Sequence, residues 1–165
     1  MLNLWKLQIS LFGILFAAIL IEVSIIPSLW APLRVDFLIG MIIGQVIFIP
    51  FSQGFPFVIL ASLLMQAFTG ARIGLIPFIY IMVFLVIDLL KSVIYLENPF
   101  TQGFLGMVFY GAITMAVILA AGTASDMIRG MVVPMAVGMV VTALITPLMS
   151  AIVGRLQVTY DAHDA

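Results

Sequence analysis

A carboxylate set in an oily run is the first residue here with the means to do chemistry. Glu22 stands in "AAILIEVSIIP", four residues inside the end of a long apolar stretch. A bare charge is expensive there, so a functional reading and a structural one are both open. The first makes Glu22 a proton or substrate site. The second makes it a neutral carboxyl, or an ion pair with Arg34 or Arg72 that fixes the first helix. Asp88 and Lys91 form a second candidate. Three apart, they share a helix face and can pair, while the lysine stem follows apolar surface and its ammonium reaches the headgroups. Only Ser92 and Glu97 stand near enough in sequence to add polar groups, which favours an anchor over a substrate site.

Other chemistry finds little to work with. The one histidine, His163, lies between acids in the terminal "QVTYDAHDA". With no cysteine there is neither a disulfide framework nor a thiolate metal site. No nucleophile elbow, metal-ligand spacing or Gly-rich phosphate loop occurs. The expectation is a protein that is not an enzyme, with no catalytic, metal or cofactor-binding residues.

The elements that must position these residues follow from composition. Of 165 residues, 65% are hydrophobic and 8% charged, whereas a soluble domain carries about 25% charged residues. Lipid must therefore solvate most of the surface. A net charge of −1 offers no basic footprint for nucleic acid.

One span needs about 20 apolar residues. On that basis the chain offers about six, near residues 7–26, 35–49, 55–68, 75–90, 103–121 and 131–153, with a short tail at 155–165. Barrel strands would alternate apolar and polar residues over about 10 positions; these runs are continuous, so the expected class is an all-α membrane bundle in one domain. Spans two and three are short, and Pro50 and Pro56 around "FSQG" predict a hairpin turn between them. The first apolar run lacks a small-x-small cleavage site before a polar region, and reads as a retained helix.

Six spans put Lys6, Lys91 and Arg155 on one membrane face and Arg34, Arg72 and Arg129 on the other. The basic residues balance, and Lys6 alone points the termini to the cytoplasm. On the opposite face Asp36 stands two residues from Arg34 and Asp126 three from Arg129.

The last span carries a small-residue ridge: Gly138, Thr142, Thr146, Ser150 and Gly154, each four apart. Such residues let helix backbones approach, and hydroxyls bond across the contact. Packing within the bundle and docking of another protein's helix are both open. A partner would have to cross at an angle, because a four-residue step drifts by about 40° on a helix of 3.6 residues per turn. Pro134 and Pro147 add bends. Gly40-x-x-x-Gly44 in the second span is a weaker association signal.

Two segments carry a resemblance to a known family. "RVDFLIGMI" resembles the start of the second span in the MreD family of rod-shape-determining membrane proteins, with Asp36 at the acid position and Val35 where proline is usual. "LLMQAFTGARIGLIPFIYIMVFLV" is similar to that family's Leu-rich run, Asp-Leu-Leu-Ser-Gly, aliphatic-Gly-Leu triplet and aromatic helix. Thr69 and Gly70 match the Ser-Gly, Ile73, Gly74 and Leu75 match the triplet, and Gln66 replaces the family's aspartate. The resemblance covers about residues 33–90. It implies a non-catalytic subunit of the bacterial cell-elongation machinery in the plasma membrane. Its partners would be a single-span MreC-like protein and, more widely, an MreB-like filament and a peptidoglycan synthase. It also implies a fold like the substrate-binding subunits of energy-coupling-factor transporters.

On this reading the turn at residues 70–74 lets spans three and four meet closely, with glycine giving both the backbone angles and the room. Arg72 at its tip serves as an anchor or partner contact. The candidate interface and packing residues are therefore Gly70, Arg72, Gly74, Glu22, Asp36, Asp88, Lys91, Gly138, Thr142, Thr146 and Ser150. The competing function is a transporter subunit for a small, largely apolar solute. It would need a cavity lined by aromatics such as Phe78, Tyr80, Phe84, Tyr95, Phe109 and Tyr110.

Overall fold

The computed structural model describes residues 2–29, 34–69, 74–122 and 125–161. They form six helices and, among the described residues, no strand. Helix α1 is Leu2–Leu20, prolonged through a π-helical turn, Ile21–Ile25, and a last α turn, Ile26–Leu29. Then come α2 (Phe37–Phe48), α3 (Phe51–Thr69), α4 (Leu75–Leu90), α5 (Pro99–Ala121) and α6 (Ser125–Asp161). The chain is an all-α membrane bundle. Helices α1, α3, α5 and α6 are long and apolar enough to cross a bilayer.

Local sequence sets the helix ends. Asp36 caps α2 by accepting the Ile39 amide at 3.1 Å. Asn98 does the same for α5 through the Phe100 amide at 2.9 Å, with Pro99 in the first turn, where no intrahelical donor is needed. Gly122 closes α5 in the left-handed region at φ 63°.

Helix α2 is the axis of the molecule. Every residue from Leu38 to Val46 is buried. Its 12 residues rise only about 18 Å at 1.5 Å per residue, well short of a hydrocarbon core of about 30 Å. A helix wrapped by other helices has its backbone and ends sheltered by protein, so it need not reach both headgroup layers. Helices α5 and α6, α2 and α6, and α3 and α4 pack most extensively.

The third span is longer than its sequence suggests. The expected "FSQG" turn is absent: α3 begins at Phe51 and contains Pro56. The reversal is confined to Ile49 and Pro50, and the Pro50 carbonyl accepts the amides of Gln53 at 2.9 Å and Gly54 at 3.0 Å. Pro56 is tolerated because its missing N–H removes one bond near the helix start, where tertiary packing compensates.

The small-residue ridge faces inward. Thr142, Thr146 and Ser150 have no exposed surface, and Gly138 and Gly154 are buried. Helix α2 runs parallel to α6 at a constant register. Asp36 bonds to Thr142, and a Cβ placed on Gly40 would meet the Thr146 backbone at 3.0 Å. One placed on Gly44 would meet that of Ser150 at 3.0 Å, and Phe48 covers Gly154. Each pair is separated by 106 positions. The two glycine signals are thus two halves of one seam, with α5 closing on its other side: Gly106 packs on the Thr146 side chain and Gly103 on the Ala143 carbonyl. Helix α6 runs without interruption through Pro134 and Pro147.

Candidate functional site

Polar side chains converge where α2 begins. Asp36 is buried, 5% exposed, and its carboxylate is shared between two jobs. Oδ1 accepts the Ile39 amide, and Oδ2 accepts the Tyr80 hydroxyl of α4. The Asp36 backbone amide donates to Thr142 Oγ1 of α6 at 3.2 Å. One turn on, Thr146 Oγ1 donates to the Thr142 carbonyl at 2.8 Å. The Tyr110 hydroxyl of α5 donates to the Arg34 carbonyl at 2.9 Å, and it lies directly against Gly138. A side chain at 138 would displace that hydroxyl.

Glu22 joins from α1. Its carboxyl lies beside the Phe37 amide and within electrostatic range of Asp36 and Arg34. One oxygen, Oε2, is enclosed and has no hydrogen-bond partner within the chain. Glu22 sits in the π-helical turn, where the Ile26 amide reaches back to the Ile21 carbonyl. Such a turn inserts one residue into the helical ladder and rotates the side chains after it, and it recurs at functional sites. Here it turns Glu22 toward the head of α2. Five helices thus meet through Glu22, Asp36, Tyr80, Tyr110 and Thr142.

Several expectations need correction. Among the described residues Glu22 forms no ion pair with Arg34, whose side chain is exposed, while tyrosine and backbone donors satisfy the neighbouring buried Asp36 carboxylate. The reason is burial, since a guanidinium brought to the head of α2 would have to shed its water. Gly74 holds φ 87°, as a tight turn requires, but among the described residues nothing lies within 4 Å of a Cβ built there. Its glycine is needed for backbone angle and not for room. The Gly74 amide donates to Gln66 Oε1 at 3.0 Å. Gln66 therefore ties the end of α3 to the start of α4. Gly70 and Arg72 lie outside the described residues, as does any pairing of Glu22 with Arg72. The Asp126 and Arg129 side chains lie outside them too.

Lys91 pairs with Asp88 at 2.5 Å, as the spacing predicts. Ser92 and Glu97 do not join them: Ser92 Oγ donates to the Leu89 carbonyl, and Glu97 accepts the Tyr95 hydroxyl at 2.9 Å. The proposed aromatic lining does not assemble either. Phe78 and Tyr95 point outward, 63% and 69% exposed, while Tyr80 and Phe84 are core residues. Sequence reasoning missed Tyr80 and Tyr110 as junction residues. Their signal is a hydroxyl within an apolar helix, since a buried phenol seeks an acceptor.

Two grooves open on the outer surface. One, of about 450 Å³, runs between α5 and α6 and includes Phe100, Gly103, Phe104, Val140, Ala143 and Leu144. The other, of about 520 Å³, lies beside Phe48, Gly154, Arg155 and Thr159. Among the described residues no group of three or more His, Cys, Asp or Glu side chains is placed to hold a metal. No family model, curated protein or solved structure matches the chain.

Proposed function

We propose that this chain is a non-catalytic, MreD-like subunit of the bacterial cell-elongation complex, which holds a single-span MreC-like partner by helix packing. The observation that carries the reading is the bond between Tyr80 and Asp36. The two stretches that resemble the family, one containing Asp36 and the other containing Tyr80, meet at one buried point. The junction's hydroxyls and its aspartate bond to groups of the bundle itself, so they serve to fix helices in place. A solute would find those groups already engaged.

With the ridge of α6 turned inward, the partner's helix belongs on the outer face of α5 and α6. There Gly103 and Ala143 belong to a groove lined by apolar side chains, and Phe100 and Leu144 stand 89% and 72% exposed at its sides. Small residues flanked by large ones admit a neighbouring helix in a bilayer. On this reading the protein lies in the plasma membrane with both termini in the cytoplasm. An MreB-like filament and a peptidoglycan synthase belong to the wider assembly.

The test is co-expression with the host's MreC-like protein, followed by affinity recovery in mild detergent. The partner is expected to co-purify, and Leu144→Trp is expected to reduce its recovery without changing the amount of folded chain. Recovery of no partner from membranes holding both proteins overturns the proposal. Saturable binding of a vitamin-sized solute to the purified chain would assign it to transport instead.

A further inference from the structure

At the end of the bundle opposite the Asp36 junction, three helices each carry a carboxamide with enclosed, unpartnered atoms. Gln45, near the end of α2, is fully buried, and neither its Oε1 nor its Nε2 has a hydrogen-bond partner within the chain. Its Oε1 faces α3, at 3.5 Å from where a Cβ of Gly54 would stand, and the Phe84 ring closes on the same glycine at 3.4 Å. Gln53, next in the chain to Gly54, has an enclosed and unpartnered Oε1. On α1 the Phe12 ring meets Phe57 of α3 edge-on at 5.9 Å. One turn earlier on each of these helices stand Gln8 and Gln53, and both side-chain polar atoms of Gln8 are again enclosed and unpartnered.

An unpartnered buried amide is costly, and native structures rarely keep one. Five such atoms stand on three neighbouring helices, beside the buried core residues Phe57 and Phe84. The chemistry they call for is a small molecule that both donates and accepts. A carboxamide offers two donors and an acceptor, and internal water commonly completes such groups with about three bonds each. Gln8 stands two residues from exposed Lys6, which sets this end of the bundle near the membrane face that carries Lys6.

We infer that Gln8, Gln45 and Gln53 form an internal water-binding site between α1, α2 and α3, at the end of the bundle nearer Lys6. The water links three helices at this end, as Asp36 links α2, α4 and α6 at the other through its bonds with Tyr80 and Thr142. The inference does not depend on the partner assigned above.

Hydroxyl-radical footprinting of the purified protein in lipid nanodiscs tests it. Met41 and Met65 are a matched pair, 0% and 5% exposed, with Met41 one turn from Gln45 and Met65 near the far end of α3. With radicals made by X-ray radiolysis, bound water generates them where it sits, so Met41 is expected to oxidise severalfold faster than Met65 despite its deeper burial. Gln45→Leu is expected to bring Met41 down to the Met65 rate and to lower the thermal midpoint by stranding the other two carboxamides. A wild-type Met41 no faster than Met65 overturns the site. A raised midpoint in Gln45→Leu does so too, because it marks a dry, unsatisfied amide whose removal helps. If Gln45→Leu does not fold, the wild-type rates decide alone.

Discussion

The Tyr80 hydroxyl donates to Asp36 Oδ2 in the buried centre of the bundle, joining residues 44 apart in sequence. The same aspartate caps α2 through its other oxygen. One side chain therefore starts the central helix and locks it to α4. Tyr80→Phe removes the donor and leaves the carboxylate half-satisfied. Interhelical hydrogen bonds in membranes average about 0.6 kcal/mol, but leaving a buried acceptor unpaired costs about 1–3 kcal/mol, so the second term decides. Thermal unfolding in detergent should show Tyr80→Phe destabilised by about 1–3 kcal/mol. Asp36→Ala should lose roughly 1 kcal/mol more through the cap. A Tyr80→Phe protein as stable as the parent would remove Asp36 from its structural role.

Thr146 sits in the seam between α2 and α5, where Gly106 lies against its side chain and Gly40 against its backbone. Gly106→Ala places a methyl on the Thr146 hydroxyl and should cost about 1–3 kcal/mol by overpacking. Thr146→Ala loses only its bond to the Thr142 carbonyl and should be mild. The double variant Gly106→Ala/Thr146→Ala should be more stable than Gly106→Ala alone. Additive losses, measured by fluorescence-detected size exclusion after heating, would show that the two positions do not touch.

Gly74 separates backbone angle from packing. Its φ of 87° is left-handed and its surroundings are open. Gly74→Ala should therefore lose about 1–2 kcal/mol, Gly74→Leu should lose no more than Gly74→Ala, and Gly74→Asn should be milder than either. A steep worsening from alanine to leucine in folded yield would mean that the turn is crowded after all.

In the loop between α4 and α5, the Tyr95 hydroxyl donates to Glu97, which holds the phenol above its ordinary ionisation range by that bond and by repelling the phenolate. The folded chain therefore favours the protonated phenol. Any stability this lends is present below the ordinary tyrosine range and is lost as pH rises through the raised value. Ultraviolet titration should show one tyrosine ionising at lower pH in Glu97→Gln than in the parent, and superimposable curves would refute the contact.

Much of the architecture could be read from the residues alone. The number of helices, their apolar character and the Asp88–Lys91 pair follow from composition and spacing, because lipid forces helices and helices force neighbours at three and four. Helix α3 begins at Phe51, ahead of the expected span: proline and glycine punctuate a sequence in the same way whether a turn follows or a helix begins. The direction of the α6 ridge was also beyond reach. Gly40 and Gly44 are 106 positions from Thr146 and Ser150, and only the packed bundle sets them side by side.

By itself the sequence determined the solvent: so many apolar residues and so few charges leave a bilayer as the medium, and a bilayer tolerates these runs only as helices. Tertiary structure alone decided which polar groups are joined. Glu22, Asp36, Tyr80, Tyr110 and Thr142 come from five different helices, and no short-range pattern links them. Their meeting depends on how the helices rotate and cross, and close packing across the whole bundle settles that.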